Sequence, residues 1–156
     1  MKSIYCLLVL CLACSAALLA AARPVRATLG GSADSVESDR KAFSAARGAA
    51  NSKNGYTVQE IDYDGNAVRE YVSSSGIVFA VAWNGIRHPD LTTLLGSYAG
   101  QYQQALQQTR RRPGVRSLSV KADGVVVEKW GHVRDLRGRA YAPDLMPPGV
   151  TVDEIK

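Results

Sequence analysis

The hydrophobic pattern changes character once along this chain. After a single early cation, Lys2, the sequence runs apolar from Ile4 to Ala22 and then turns basic and small from Arg23 to Ala27. A positive start, an apolar stretch, and Val25 and Ala27 at the positions signal peptidase reads identify residues 1–27 as a cleavable export signal. The mature chain is therefore expected to begin at Thr28 and to work outside the cytoplasm. Two other readings compete. A run of roughly 17–20 residues is long enough to span a bilayer, so an uncleaved anchor is one; lipidation at Cys14 is the other. The alanine-rich second half and its small-residue end favour cleavage. Cys11 rather than leucine stands three residues before Cys14, and the apolar run continues past it, which argues against lipidation.

Beyond the signal the pattern becomes periodic. Gly30-Gly31 marks a turn, after which Ser32 or Ser35 caps an expected N-terminal helix with an acidic first turn (Asp34, Glu37, Asp39) and a thin apolar stripe of Val36, Phe43 and Ala46. Asn51 to Gly55 reads as a polar linker. Tyr56 to Tyr63 and Ala67 to Ser73 alternate as two strands of a hairpin closed by Asp64-Gly65-Asn66. After Ser74-Ser75-Gly76, the nearly continuous apolar run Ile77 to Trp83 predicts a central strand. Asp90 then caps an amphipathic helix carrying Leu91, Leu94, Leu95, Tyr98, Tyr102, Ala105 and Leu106 at three- and four-residue intervals, ending at Pro113-Gly114. The four-residue spacing of Gly96 and Gly100 predicts a close approach of this helix to the sheet. Leu118 to Ala122 and Val125 to Trp130 pair across Asp123-Gly124. From Gly131 onward basic residues and three prolines predict an extended tail laid over the surface. The expected fold is α+β: a small antiparallel sheet, a three-stranded meander plus a hairpin, covered on one face by the amphipathic helix, with an N-terminal helix, in one domain over 28–156.

Composition narrows the function classes once the signal is set aside. Removing 27 of the 156 residues leaves 129, enough for one hydrophobic core. Lys2, Arg23 and Arg26 leave with the signal while all 14 acidic residues stay, so the net charge falls from +5 to +2. Net charge then gives no argument for nucleic acid. The three cysteines also lie in the signal, which takes disulfides, thiolate metal sites and cysteine nucleophiles away from the mature chain.

The order of short motifs resembles one family. Ala27-Thr28-Leu29-Gly30, Val68-Arg69-Glu70-Tyr71-Val72-Ser73 with Gly76, Val78 to Trp83, Pro89-Asp90-Leu91, Leu94-Leu95-Gly96, Gly131-His132, Arg134, Gly138-Arg139-Ala140-Tyr141 and Pro143 are similar to the exported bacterial family catalogued as domain of unknown function 2844. The resemblance spans nearly all of the mature chain. It implies an exported, periplasmic protein of a Gram-negative bacterium and assigns no catalytic or binding residue.

Candidate chemistry is sparse. Gly96-Ser97-Tyr98-Ala99-Gly100 lacks the glycine two residues before the serine that a nucleophile elbow needs, and Ser97 falls inside the expected helix. His88 and His132 are not at helical metal-ligand spacing. The pairs Asp62/Asp64 and Asp153/Glu154 sit at a turn and near the end of the chain, where solvated acids are routine. Arg110, Arg111 and Arg112 are expected to end a helix and complement its dipole. Trp83 reads as core, with Tyr56, Tyr63 and Tyr71 edging the sheet, their hydroxyls in water. The best polar signal is Lys129, Arg134, Arg137 and Arg139 beside Trp130, His132 and Tyr141, where arginine forks interleaved with aromatic rings suit an anionic partner. The expectation is a non-enzymatic exported binding or accessory protein without cofactor, metal or nucleic acid. Its binding residues are His132, Arg134, Arg137, Arg139 and Tyr141. Another envelope protein is the first choice of partner, and an anionic envelope polymer or lipid the second. The alternative is an envelope hydrolase assembled from dispersed residues such as His88, Asp90 and His132.

Overall fold

The computed structural model describes residues 29–32, 51–53, 55–63, 65–110 and 114–156. The expected signal segment and most of the expected N-terminal helix lie outside the described residues. Ser32, weighed as that helix's cap, makes an antiparallel bridge to Ile77.

Alternation in the sequence builds a sheet wider than the expected meander plus hairpin. Among the described residues seven antiparallel strands, β1 (Asn51–Lys53), β2 (Tyr56–Tyr63), β3 (Asn66–Ser73), β4 (Val78–Gly85), β5 (Leu118–Ala122), β6 (Val125–His132) and β7 (Asp135–Tyr141), lie in the order β1-β2-β3-β4-β7-β6-β5. Asn51–Lys53, expected as linker, extends the first meander by pairing with β2. The larger correction concerns the supposed tail. Asp135–Tyr141 is the strand that joins the two halves, pairing Trp83 with Gly138 on β4 and Gly138 with Lys129 on β6. The hairpin signals hold: Tyr56 to Tyr63 pairs residue for residue with Ser73 to Asn66, and Leu118 to Ala122 with Lys129 to Val125.

The continuous apolar run of β4 is buried on both faces because it is the fourth strand of seven. One face carries Val68, Val81, Trp83, Val120, Val125, Val127 and Ala140 against helical Leu91, Leu94, Leu95, Ala99 and Tyr102. A Cβ on Gly138 would lie 2.3 Å from Cζ2 of Trp83, so only glycine leaves room for the indole across the strand pair. On the other face Tyr56, Tyr71, Phe79, Ala80 and Ala82 surround Ile155. Tyr71 pairs with Ala80 but Val72 with Val78, which makes Phe79 the extra residue of a β-bulge. Its carbonyl accepts from the Ala142 amide at 3.0 Å, and the chain then crosses this face through 3-10 turns at Pro143–Leu145 and Val152–Glu154.

The helical layer is broken rather than continuous. Asp90 caps α1 (Leu91–Leu95), its Oδ1 accepting from the Thr92 amide at 2.9 Å. Gly96 then takes φ 52°, a 3-10 turn spans Gly96–Tyr98, and α2 (Ala99–Gln108) follows. The left-handed backbone at Gly96 explains the glycine as a helix stop. The expected close approach is absent at Gly100, which has open space around it. Ser97 sits exposed in the 3-10 turn, not inside a helix.

Candidate functional site

The strand register defines one end of the sheet. Asn66 pairs with Gly85, Gly85 with Leu136, and Leu136 with Gly131, so the β4–α1 loop and the β6–β7 turn emerge together. Leu118 pairs with Lys129, two residues short of Gly131, which brings the segment leading into β5 to the same end. Helix α2 finishes there as well: Thr109 and Arg110 share an open cleft of about 470 Å³ with His88, Val115, Arg116 and Trp130.

The expected binding residues divide along β6 and β7. His132 and Arg134 are exposed at the loop end, where His132 pairs with Asp135 and the two-residue turn Val133-Arg134 closes the hairpin. Arg134 has φ 71°, the one non-glycine positive φ among the described residues. Arg137, further in, grips Asp135 with two hydrogen bonds of 2.9 and 3.2 Å. That donation, reinforced by the guanidinium charge and by His132, holds the Asp135 carboxyl below its ordinary range although partial desolvation opposes it.

Arg139 serves the fold itself. Its Nε donates to Glu128 at 2.6 Å and its Nη1 to the Val152 carbonyl at 2.7 Å, while the guanidinium lies 5.6 Å from the Trp130 ring centre. Tyr141 packs with the Ile155 cluster, and burial raises its hydroxyl pKa. Lys129 points the opposite way, its Nζ 5.5 Å from the centre of the Tyr102 ring. A second, open cleft of about 730 Å³ on the Ile155 face is lined by Arg69, Trp130, Arg137 and Arg139. Each of these three arginines already faces an acid: Arg69 bonds Glu60 at 3.1 Å, Arg137 bonds Asp135 and Arg139 bonds Glu128.

Two expectations need correction. Tyr56 and Tyr71 do not edge the sheet with wet hydroxyls; both are buried, Tyr56 donating to Glu154 at 3.0 Å and Tyr71 to the Lys156 carbonyl at 2.9 Å. Burial first, and the Glu154 carboxylate second, raise the Tyr56 pKa. Arg110 does not complement the dipole from within the helix, because α2 ends at Gln108 with no basic residue in its last turn. Arg110 lies past that end; Arg111 and Arg112 lie outside the described residues. His88 and Asp90 have separate employments: the His88 Nδ1 accepts from Trp83 Nε1 at 3.0 Å, and the Asp90 carboxylate caps α1.

Sequence reasoning missed Ile86, Val115 and Val133. They are the large hydrophobic side chains left exposed among the described residues, at 62, 54 and 88 %. Each is an isolated apolar letter in a polar turn, and only the register reveals that all three occupy one end. No helix among the described residues is long and apolar enough to cross a membrane.

No curated protein and no solved structure matches the chain. The model of a family described as a protein of unknown function, DUF2844, matches residues 25–155, so this chain belongs to the DUF2844 family.

Proposed function

We propose that this is a non-enzymatic binding or accessory protein of the periplasm, released from its signal after Ala27, that holds an anionic envelope component with the loop end of its sheet. One observation carries the reading. Arg110, Arg116 and Arg134 are exposed at that end and make no ion pair among the described residues, whereas the inner arginines Arg69, Arg137 and Arg139 are matched to acids. Guanidinium groups without a carboxylate partner are the ones left to meet phosphate, sulfate or carboxylate on a ligand.

The test is retention on immobilised dextran sulfate. The protein should be retained at low salt and released as salt rises, since exposed charge contacts are screened over about 8–10 Å at physiological ionic strength. Replacing Arg110, Arg116 and Arg134 together with glutamine should abolish retention without moving the melting temperature. Retention of the folded triple variant at the wild-type salt strength would overturn the reading. Arg139 stays out of this set because its loss would loosen the chain around Val152.

A further inference from the structure

We infer that the loop end docks on an anionic phospholipid surface, with Ile86, Val115 and Val133 inserting among the lipids and Arg116 and Arg134 meeting the phosphates. The inference rests on the reading that this end holds an anionic partner, and it names that partner from the aliphatic residues.

Scattered exposed hydrophobic side chains need no explanation. Here three of them share one edge of the molecule, and each is followed by an arginine: Ile86-Arg87, Val115-Arg116 and Val133-Arg134. The β4–α1 loop and the lead into β5 are separated by β7 and β6, which is three strand spacings or roughly 15 Å. Three apolar points separated by cations do not form the continuous apolar centre of a protein–protein interface. A soluble polyanion would gain nothing from them, because the aliphatic groups would stay in water. A bilayer satisfies both groups at once: its phosphates meet the guanidinium forks, and its acyl boundary, a few ångströms deeper, receives the aliphatic tips. Being fluid, it also conforms to separate protrusions.

The β6–β7 turn carries a second, independent sign. A two-residue hairpin favours asparagine and glycine where φ is positive. This one has a β-branched valine at 88 % exposure followed by an arginine at φ 71°. Neither residue helps the turn to form. A sparsely populated backbone conformation held at the outermost tip points to a role for the side chain there.

The test is flotation with lipid vesicles, using the protein as recovered from cells. Vesicles of phosphatidylcholine are compared with vesicles that also contain phosphatidylglycerol. Every variant keeps the same N-terminal residues as the wild type, so differences among them report the loop end alone. The protein should float with the anionic vesicles and not with the neutral ones. Val133→Ser, Ile86→Ser and Val115→Ser should each weaken partitioning about tenfold through lost apolar burial. Arg134→Gln should weaken it about fivefold. Arg134→Gly should weaken partitioning similarly yet melt at a higher temperature, because glycine relieves the left-handed backbone. All these positions are exposed, so the variants remain folded and the comparison is direct. Serine variants that float as the wild type does, with dextran sulfate displacing them completely, would overturn lipid docking and leave the anion-binding reading standing. Failure of the wild type to bind either anionic vesicles or dextran sulfate would overturn both.

Discussion

At the scale of single residues, His88 shows how a group weighed for catalysis is used for structure. Its Nδ1 accepts from the indole of Trp83, which requires the unprotonated nitrogen. Partial burial, and then the charge of Lys129, lower its pKa below 6.5. Above that value the imidazole is neutral in the folded and unfolded chains alike, and the contact contributes fully. As pH falls through about 6.5 the unfolded chain takes up a proton that the folded chain resists, so this part of the stability is lost from there down to the folded-state pKa. Urea unfolding between about pH 7.5 and pH 5.5 should show that loss. His88→Asn, whose Oδ1 takes the acceptor's place without titrating, should flatten the slope; an unchanged slope would show that other groups set it. Arg139 had the clearest chemical signal as a ligand contact, an arginine among aromatic rings. Glu128 and the Val152 carbonyl, 11 positions before it and 13 after it, take its donors.

At the scale of elements, the two faces of the sheet are sealed by unlike means, a broken helix on one and an irregular crossing chain on the other. Both seals use a fully buried aliphatic side chain, Leu95 from α1 and Ile155 from beyond the last 3-10 turn, each at 0 % exposure. Leu95→Ala and Ile155→Ala should each cost about 2–5 kcal/mol. The sheet separates the two sites, so the double variant should lose the sum of the two within roughly 0.5 kcal/mol. A smaller loss for Ile155 than for any surface substitution would show that the crossing chain is ornament. The sequence announced β2 and β3 through alternation, β4 through its unbroken apolar run, and β5 and β6 through the turn chemistry of Asp123-Gly124. It concealed β7 because the core side of that strand is Leu136, Gly138 and Ala140: the volume over Gly138 is filled by Trp83 from the neighbouring strand. A strand whose apolar content is lent by its neighbour has no periodic signal of its own. The candidate site was half legible for a similar reason. Arg134 and His132 stood out as charge beside aromatics, but the convergence of Ile86, Val115 and Val133 depends on pairings between residues far apart in sequence.

At the scale of the whole molecule, stability should be graded outward from β4. Its amides are flanked by β3 and β7 and covered on both faces, so they should exchange with solvent only when the entire domain unfolds. The amides of β5, at the sheet's edge, should exchange first among those of β5, β6 and β7. Native-state hydrogen exchange read by mass spectrometry would check this, and an edge strand protected as well as β4 would count against it. The position of β7 also has a bearing on how the chain is made. Until residue 141 is available, β4 lacks its neighbour on one side, β6 lacks its neighbour on the side away from β5, and Ile155 is not yet in place on the second face. A chain emerging from the ribosome therefore holds β1 to β4 without the strand that joins them to β5 and β6, and the native topology closes only when β7 inserts between the two halves.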